Sequence, residues 1–268
     1  MPKVKSIRYL AAADGNAELI FCNNSTIAYP LHNHTSVFTI GIVLEGDIIL
    51  NTHNTDQVYG KGQTFIIPPY APHSIKGNDA YSLLSLCIRK SVFNSSDDIE
   101  KVIISITNLL AEAVDSYKIN QEPALKLLTC LYYSNGLFPA ATSNNDPYID
   151  KLKRQLELFP ENKFSVEAMA DAALKSKYYF IRRFKEIVGL TPHRFQIQNR
   201  IRKAQRLLCE RDTITEVALS TGFCDQSHFI KQFEKLVGLT PSTYKLSAGI
   251  FKPGVKSQQS AGINLAKR

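Results

Sequence analysis

Hydrophobic residues follow three rhythms along this chain. From Ala17 to Ile88 they come in short or alternating runs, among them AELIFC, VFTIGIVL, TFII and YSLLSLCI, separated by Gly, Pro, Asn and Asp. Closely spaced short strands with that punctuation predict an all-β barrel or sandwich. After Ser95-Ser96 the period lengthens. Ile99, Val102, Ile103, Ile106, Leu109, Leu110 and Ala113 recur at helical spacing behind a capping Ser96-Asp97-Asp98, and a second helix follows with Pro123 near its start and Leu125, Leu127, Leu128 and Leu131 apolar. A polar, proline-bounded run then predicts a linker at 137–147. These rhythms divide the chain into a β domain at 1–95, a helical connector at 96–136 that packs on the barrel or pairs two subunits, the linker, a helical domain at 148–246 and a disordered basic tail at 247–268.

The helical domain says nearly the same thing twice. FIRRFKEIVGLTP at 180–192 returns as FIKQFEKLVGLTP at 229–241, a constant offset of 49, and the predicted helix caps Ser176 and Asp225 keep the same offset. In each copy a short helix and a turn precede a second helix that buries Phe180, Phe184, Ile187 and Val188, or Phe229, Phe233, Leu236 and Val237. Polar, basic and aromatic side chains remain on the free face. Two short helices joined by a tight turn, with the second presenting such a face, form the helix-turn-helix arrangement, whose second helix enters the major groove of DNA. Lys177, Tyr178, Ile181 and Arg182 are expected at DNA from the first copy, and Gln226, Ser227, His228, Ile230 and Lys231 from the second. Arg182 suits the paired acceptors of guanine and Gln226 the adenine edge. Between the copies, Thr191-Pro192 opens a helix of about 17 residues, roughly 25 Å at 1.5 Å per residue. Its Ile197, Ile201, Ala204 and Leu208 face inward, and Arg194, Arg200 and Lys203 are expected at phosphates.

Charge supports a polyanionic partner. Residues 1–146 carry 10 Lys/Arg against 13 Asp/Glu, whereas 147–246 carry 18 against 11, and the last 22 add four basic residues and no acid. Five widely spaced cysteines without a C-x-x-C pair read as reduced, mostly buried thiols. Neither a signal peptide nor a membrane-length apolar run is evident, so a cytoplasmic protein without membrane attachment is expected.

The run from Ala170 to Tyr244 resembles the DNA-binding domain of the AraC/XylS family of bacterial transcription regulators. The resemblance is carried by Ala170, Ser176, Phe180, Arg182, Phe184 and Gly189-x-Thr191-Pro192, by Arg200, Ala204, Leu207 and Leu208, and by Ile214, Ala218, Gly222-Phe223-x-Asp225-x-Ser227-x-Phe229, Phe233, Gly238-x-Thr240-Pro241 and Tyr244. It implies binding to double-stranded promoter DNA as a homodimer, an N-terminal effector domain and, in the family's commoner mode, activation through RNA polymerase. Ala173 stands where the first turn more commonly has glycine, and Arg183 where the family usually has an apolar residue.

The β domain resembles the cupin barrel, which agrees with that reading. His32 and His34, two apart on a strand, point the same way, and Gly62, Pro68 and His73 keep the spacing of the second cupin motif. Tyr70 replaces that motif's glycine, and Phe38 lies near where the first motif's glutamate belongs. His32, His34, Phe38, Tyr70 and His73 are therefore expected around a small-molecule effector. Three imidazoles can hold a divalent metal, but without the carboxylate no metal and no cofactor is expected. The chain thus reads as an effector-responsive, DNA-binding regulator rather than an enzyme. The alternatives are a regulator that binds DNA constitutively and a metal-dependent cupin enzyme.

Overall fold

A computed structural model of the chain describes residues 6–12, 16–35, 37–52, 55–89, 96–134, 146–209 and 213–251. Among these described residues strands come first: β1 (Ser6–Ala12), β2 (Ala17–Ser25), β3 (Tyr29–His32), β4 (Val37–Glu45), β5 (Asp47–Thr52), β6 (Thr55–Gly60), β7 (Thr64–Ile67), β8 (His73–Gly77) and β9 (Tyr81–Arg89). Helices follow, α1 (Ser96–Tyr117), α2 (Gln121–Ser134), α3 (Pro147–Leu158), α4 (Val166–Ala172), α5 (Lys177–Val188), α6 (Pro192–Leu208), α7 (Ile214–Ser220), α8 (Gln226–Val237) and α9 (Pro241–Ser247), and then β10 (Ala248–Phe251).

The strands form two sheets, ordered β10-β1-β2-β9-β4-β7 and β3-β8-β5-β6. Alternation along the larger sheet sorts its side chains between two cores. Ile7, Tyr9, Cys22, Val43 and Leu83 turn inward with Ile48, Leu50 and Ile75 of the smaller sheet. Leu10, Leu19, Phe21, Ile40, Ile42, Leu84 and Leu86 turn outward and are covered by Ile106, Leu109, Leu110 and Ala113 of α1 and by Ala124, Leu127 and Leu131 of α2. The connector helices are thus committed to the barrel. Leu125, one of the apolar residues of this helix, is exposed because Ala124, Leu127 and Leu131 define the face that packs.

Ala248–Phe251, expected in a disordered tail, instead forms β10 and pairs in parallel with β1, Tyr9 opposite Ala248. The pairing satisfies an edge that would otherwise expose backbone donors and acceptors. The remaining tail, 252–268, and the linker up to residue 145 lie outside the described residues.

In the helical region the predicted caps Ser176, Thr191 and Asp225 are in place, accepting from the backbone N–H of Tyr179, Arg194 and His228, and Ser165 and Thr213 cap α4 and α7 in the same way, accepting from Ala168 and Glu216. The two G-L-T-P turns close α5 and α8 with Gly189 and Gly238 at φ 83° and 81°, the left-handed region that glycine adopts without strain. Both turns also abut the barrel. A Cβ on Gly189 would lie 1.9 Å from Pro72 Cγ, and one on Gly238 would meet Ile7, Tyr29 and Ile27 at 3.0–3.2 Å.

The repeat breaks at one point. Gly222 takes φ 85° in the second helix-turn-helix and the next residue, Phe223, is buried at 3% exposure. At the matching place Ala173 keeps φ −86°, and the left-handed residue is Leu174, φ 54° and 91% exposed. Without a glycine at 173, the turn inverts one residue later and its apolar side chain swings out.

Candidate DNA interface and barrel mouth

The reading helices α5 and α8 present corresponding residues at an offset of 49. Tyr178 is 84% exposed, and Ser227 occupies the same place in α8. Arg182 is open at its tip, its Nε 3.1 Å from Glu186 Oε1, with Lys231 exposed at the same place. Lys177 and Gln226, equivalent by the repeat, each tie back to the preceding helix: Lys177 to Glu167, and Gln226 Oε1 to the Thr215 hydroxyl at 2.8 Å. Ile181 and Ile230 are half-buried, and Ile230 packs on the core. His228 is exposed, and its counterpart at the offset of 49, Tyr179, is 47% exposed. Arg183 shares Glu186 with Arg182.

The residues expected at phosphates divide. Arg194 is exposed on the first turn of α6. Arg200 turns inward, donating from Nε to Pro160 O at 2.7 Å, from Nη1 to Gly222 O at 2.7 Å and from Nη2 to Glu161 O at 3.3 Å. These carbonyls lie in the turn after α3 and in the second helix-turn-helix turn, so the guanidinium fork joins two chain reversals rather than awaiting a phosphate. Lys203 pairs with Glu161 at 2.8 Å, both side chains about one quarter exposed (27%).

α6 also carries a polar face that the barrel covers. Asn33, between the two histidines, faces the opposite way from them. Its backbone N–H donates to Gln198 Oε1 at 3.1 Å, and its Oδ1 accepts from Gln198 Nε2 at 2.8 Å. Its Nδ2 donates to Val188 O, an end carbonyl of α5, at 2.8 Å, and its carbonyl accepts from Arg202 Nη2 at 2.5 Å. Thr35 donates to Asn199 Oδ1 at 3.2 Å, and Tyr9 donates to Val237 O near the end of α8 at 2.8 Å. Barrel and reading helices therefore share one polar seam.

On the other side of the seam His32, His34 and His73 cluster. Their ring centroids are 4.2 Å (His32 to His73), 4.9 Å (His34 to His73) and 5.2 Å (His32 to His34) apart. His32 and His73 are register partners on β3 and β8. Nδ1 of His32 lies 2.8 Å from Pro30 O, that of His73 3.0 Å from Ala71 O, and that of His34 2.5 Å from Thr39 Oγ1. Burial, with the neighbouring imidazoles and Arg202, pushes His32 down to about 3 and holds His34 well below its ordinary value. Burial first, with Arg202, pushes His73 down to about 4. Burial thus disfavours the charged form of each ring.

Two expected effector residues lie elsewhere. Thr39 reaches His34, so by alternation Phe38 points to the opposite side of β4, away from the histidines. Tyr70 adopts φ 65°, the conformation for which a glycine would be natural, and its ring lies under Lys153 Nζ of α3, 3.5 Å from the centroid. It serves the seam. Glu18, not singled out from sequence, is half-buried on β2 opposite Cys87, and burial pushes its carboxyl up to about 7 against the opposing pull of Arg202. Among the cysteines Cys22 and Cys87 are buried and Cys130 half-buried, but Cys209 and Cys224 are exposed, contrary to the expectation of mostly buried thiols.

Residues 169–247 match the helix-turn-helix domain family. Over 65 residues the chain is 43% identical to the HTH-type transcriptional regulator MtrA of Neisseria gonorrhoeae, a match covering 24% of this chain and 22% of MtrA. Against the HTH-type transcriptional regulator YbfI of Bacillus subtilis it is 25% identical over 227 residues, 74% of this chain and 80% of that protein. The fold is similar to ToxT of Vibrio cholerae, with a TM-score of 0.53 at 14% identity across 87% of this chain and 96% of ToxT. The matched region, residues 169–247, is an AraC/XylS-type helix-turn-helix domain, and the relatives that share it are transcription regulators. That family is one of DNA-binding regulators rather than enzymes, and the AraC-type region spans α4 to α9. Among the described residues no helix is long and apolar enough to cross a membrane.

Two outcomes follow from this geometry. Arg200→Ala leaves three carbonyls without their donor, so it lowers stability by about 2–4 kcal/mol in denaturant unfolding, while the salt dependence of DNA binding keeps its slope; Arg194→Ala flattens that slope. For Glu18 the folded-state pKa is raised, so the folded state favours the protonated acid and stability declines as pH rises from the unfolded carboxyl value through about 7. Glu18→Gln removes that decline in unfolding curves taken between pH 4 and pH 8, and the variant is the more stable protein at the upper end.

Proposed function

We propose that the chain is an effector-responsive regulator whose α5 and α8 read two different short sequences in a promoter. The observation that carries this reading is the asymmetry of the repeat: the buried halves match, but Lys177, Tyr178 and Arg182 on one free face stand opposite Gln226, Ser227 and Lys231 on the other. Its DNA contacts are Lys177, Tyr178, Ile181 and Arg182 with Gln226, Ser227, His228, Ile230 and Lys231, and Tyr179 joins them. Arg182 donates to a guanine edge and Gln226 to an adenine edge. α6, 17 residues long, fixes the spacing of the two units.

The barrel senses a small molecule, and the seam from Asn33 to α6 carries its state to the reading helices. A ligand shifts that state only by binding one arrangement more tightly than the other. The shared fold with ToxT, for which a structure bound to an unsaturated fatty acid exists, supports a ligand-binding role for the β domain. Activation through RNA polymerase, action as a homodimer and a cytoplasmic location complete the reading, on the strength of the family.

Arg182→Ala tests it. The substitution is expected to cost about 1–3 kcal/mol on the cognate site and to flatten base preference at one position, measured by fluorescence anisotropy against a panel of single-base operator variants. Equal losses on cognate and random DNA contradict the assignment.

A further inference from the structure

The two reading helices differ in charge along the ridge that carries Arg182. In α5 that ridge holds Arg182, Arg183 and Glu186; at the offset of 49, α8 has Lys231, Gln232 and Lys235. The carboxylate of Glu186 takes both arginines. Its Oε1 accepts from Arg182 Nε at 3.1 Å, and its Oε2 accepts from Arg183 Nη1 at 3.3 Å. Neither Lys231 nor Lys235 pairs with an acid among the described residues.

Helix stability does not account for this clamp. The side chains of Arg182 and Glu186 are 81% and 47% exposed, and an ion pair in that setting contributes little. An acid one turn C-terminal to its cation is also the weaker order on a helix. Glu186 sits moreover in the last turn of α5, where the helix dipole favours positive charge. Lys235, at the matching place in α8, follows that preference.

Geometry gives the clamp another use. A guanidinium is planar, so a hydrogen bond at Nε fixes the plane in which Nη1 and Nη2 lie. Those two groups of Arg182 have no partner among the described residues, and together they make the two-donor fork that matches O6 and N7 of guanine. The edge of guanine is uncharged, so it can accept the fork while the carboxylate stays in place. A phosphate is repelled by the same carboxylate. Glu186 offsets one of the two guanidinium charges, whereas the α8 ridge keeps the charge of both lysines.

We infer that Glu186 is a positioning residue that sets base specificity: it aims the Arg182 fork at guanine and withholds Arg182 and Arg183 from phosphates. α5 then discriminates between sequences, while Lys231 and Lys235 of α8 supply sequence-independent affinity. The inference rests on α5 and α8 being the reading helices. Glu186 itself touches no base.

The test uses the full chain and fluorescence anisotropy. The probes are a duplex selected from a random library by the unsubstituted chain, its single-base variants and a random-sequence duplex, each across a range of salt. Glu186→Gln is expected to lower discrimination at one guanine about fivefold. It also raises affinity for the random duplex about threefold and steepens the salt slope by about 0.9, the equivalent of one further phosphate contact. Glu186→Asp keeps the charge one methylene short of Arg182, so it loses discrimination without gaining affinity for random DNA. In the Arg182→Ala background, Glu186→Gln leaves base preference unchanged. Unaltered discrimination and slope in Glu186→Gln, or a loss shared equally by all duplexes, overturns the inference. Full discrimination in Glu186→Asp, or an effect of Glu186→Gln on base preference that persists without Arg182, does the same. If Arg182→Ala alone leaves base preference intact, the assignment of α5 as a reading helix falls instead.

Discussion

The rest of the structure depends on the hydrogen bonds of Asn33. Its backbone and side chain engage Gln198 in a reciprocal pair, its amide takes the terminal carbonyl of α5, and its carbonyl takes Arg202. Asn33, Gln198 and Val188 are buried where they meet, so separating the lobes without hydration strands several polar atoms at once, each at a cost of about 1–3 kcal/mol. A polar seam of this kind differs from an oily one: it specifies a single register, and it opens readily once water enters. That combination suits a joint that must hold one arrangement and yield to another.

The seam also explains the orientation of the repeat. Both reading helices turn their glycine-capped C-terminal ends to the barrel, Gly189 against Pro72 and Gly238 against Ile7, Ile27 and Tyr29. Tyr178 and Ser227, at the opposite ends of the same helices, are exposed. The barrel therefore grips the two units by equivalent turns and leaves both reading faces open. A movement of β3 or of the loop carrying Pro72 reaches α5, α6 and α8 together, because each contributes a carbonyl, an amide or a cap to the contact.

Much of this was legible in the sequence where periodicity and caps decide the outcome. Phe180, Phe184, Phe229 and Phe233 are buried, Ser176 and Asp225 cap as expected, and His32 meets His73 because β3 pairs with β8, although His34, expected on the same strand, joins them from beyond the end of β3. What the sequence concealed are the partners of long polar side chains. Arg194, Arg200 and Arg202 look alike on a helical wheel, yet one is exposed, one joins two chain reversals and one enters the barrel mouth. Their roles are set by carbonyls up to 169 residues away, for which no local pattern exists. Tyr70 was misjudged for a related reason: like Leu174, it takes the left-handed conformation where glycine is absent, and the backbone rather than the side chain decides where it points.

The central claim is that the barrel and the DNA-binding helices form one coupled body through Asn33. A double-mutant cycle of Asn33→Ala and Gln198→Ala, measured by denaturant unfolding of the full chain, addresses it most directly. The account predicts a coupling energy of about 1–2 kcal/mol within a single cooperative transition. Additive effects, or two separate transitions already present in the unsubstituted chain, would contradict it.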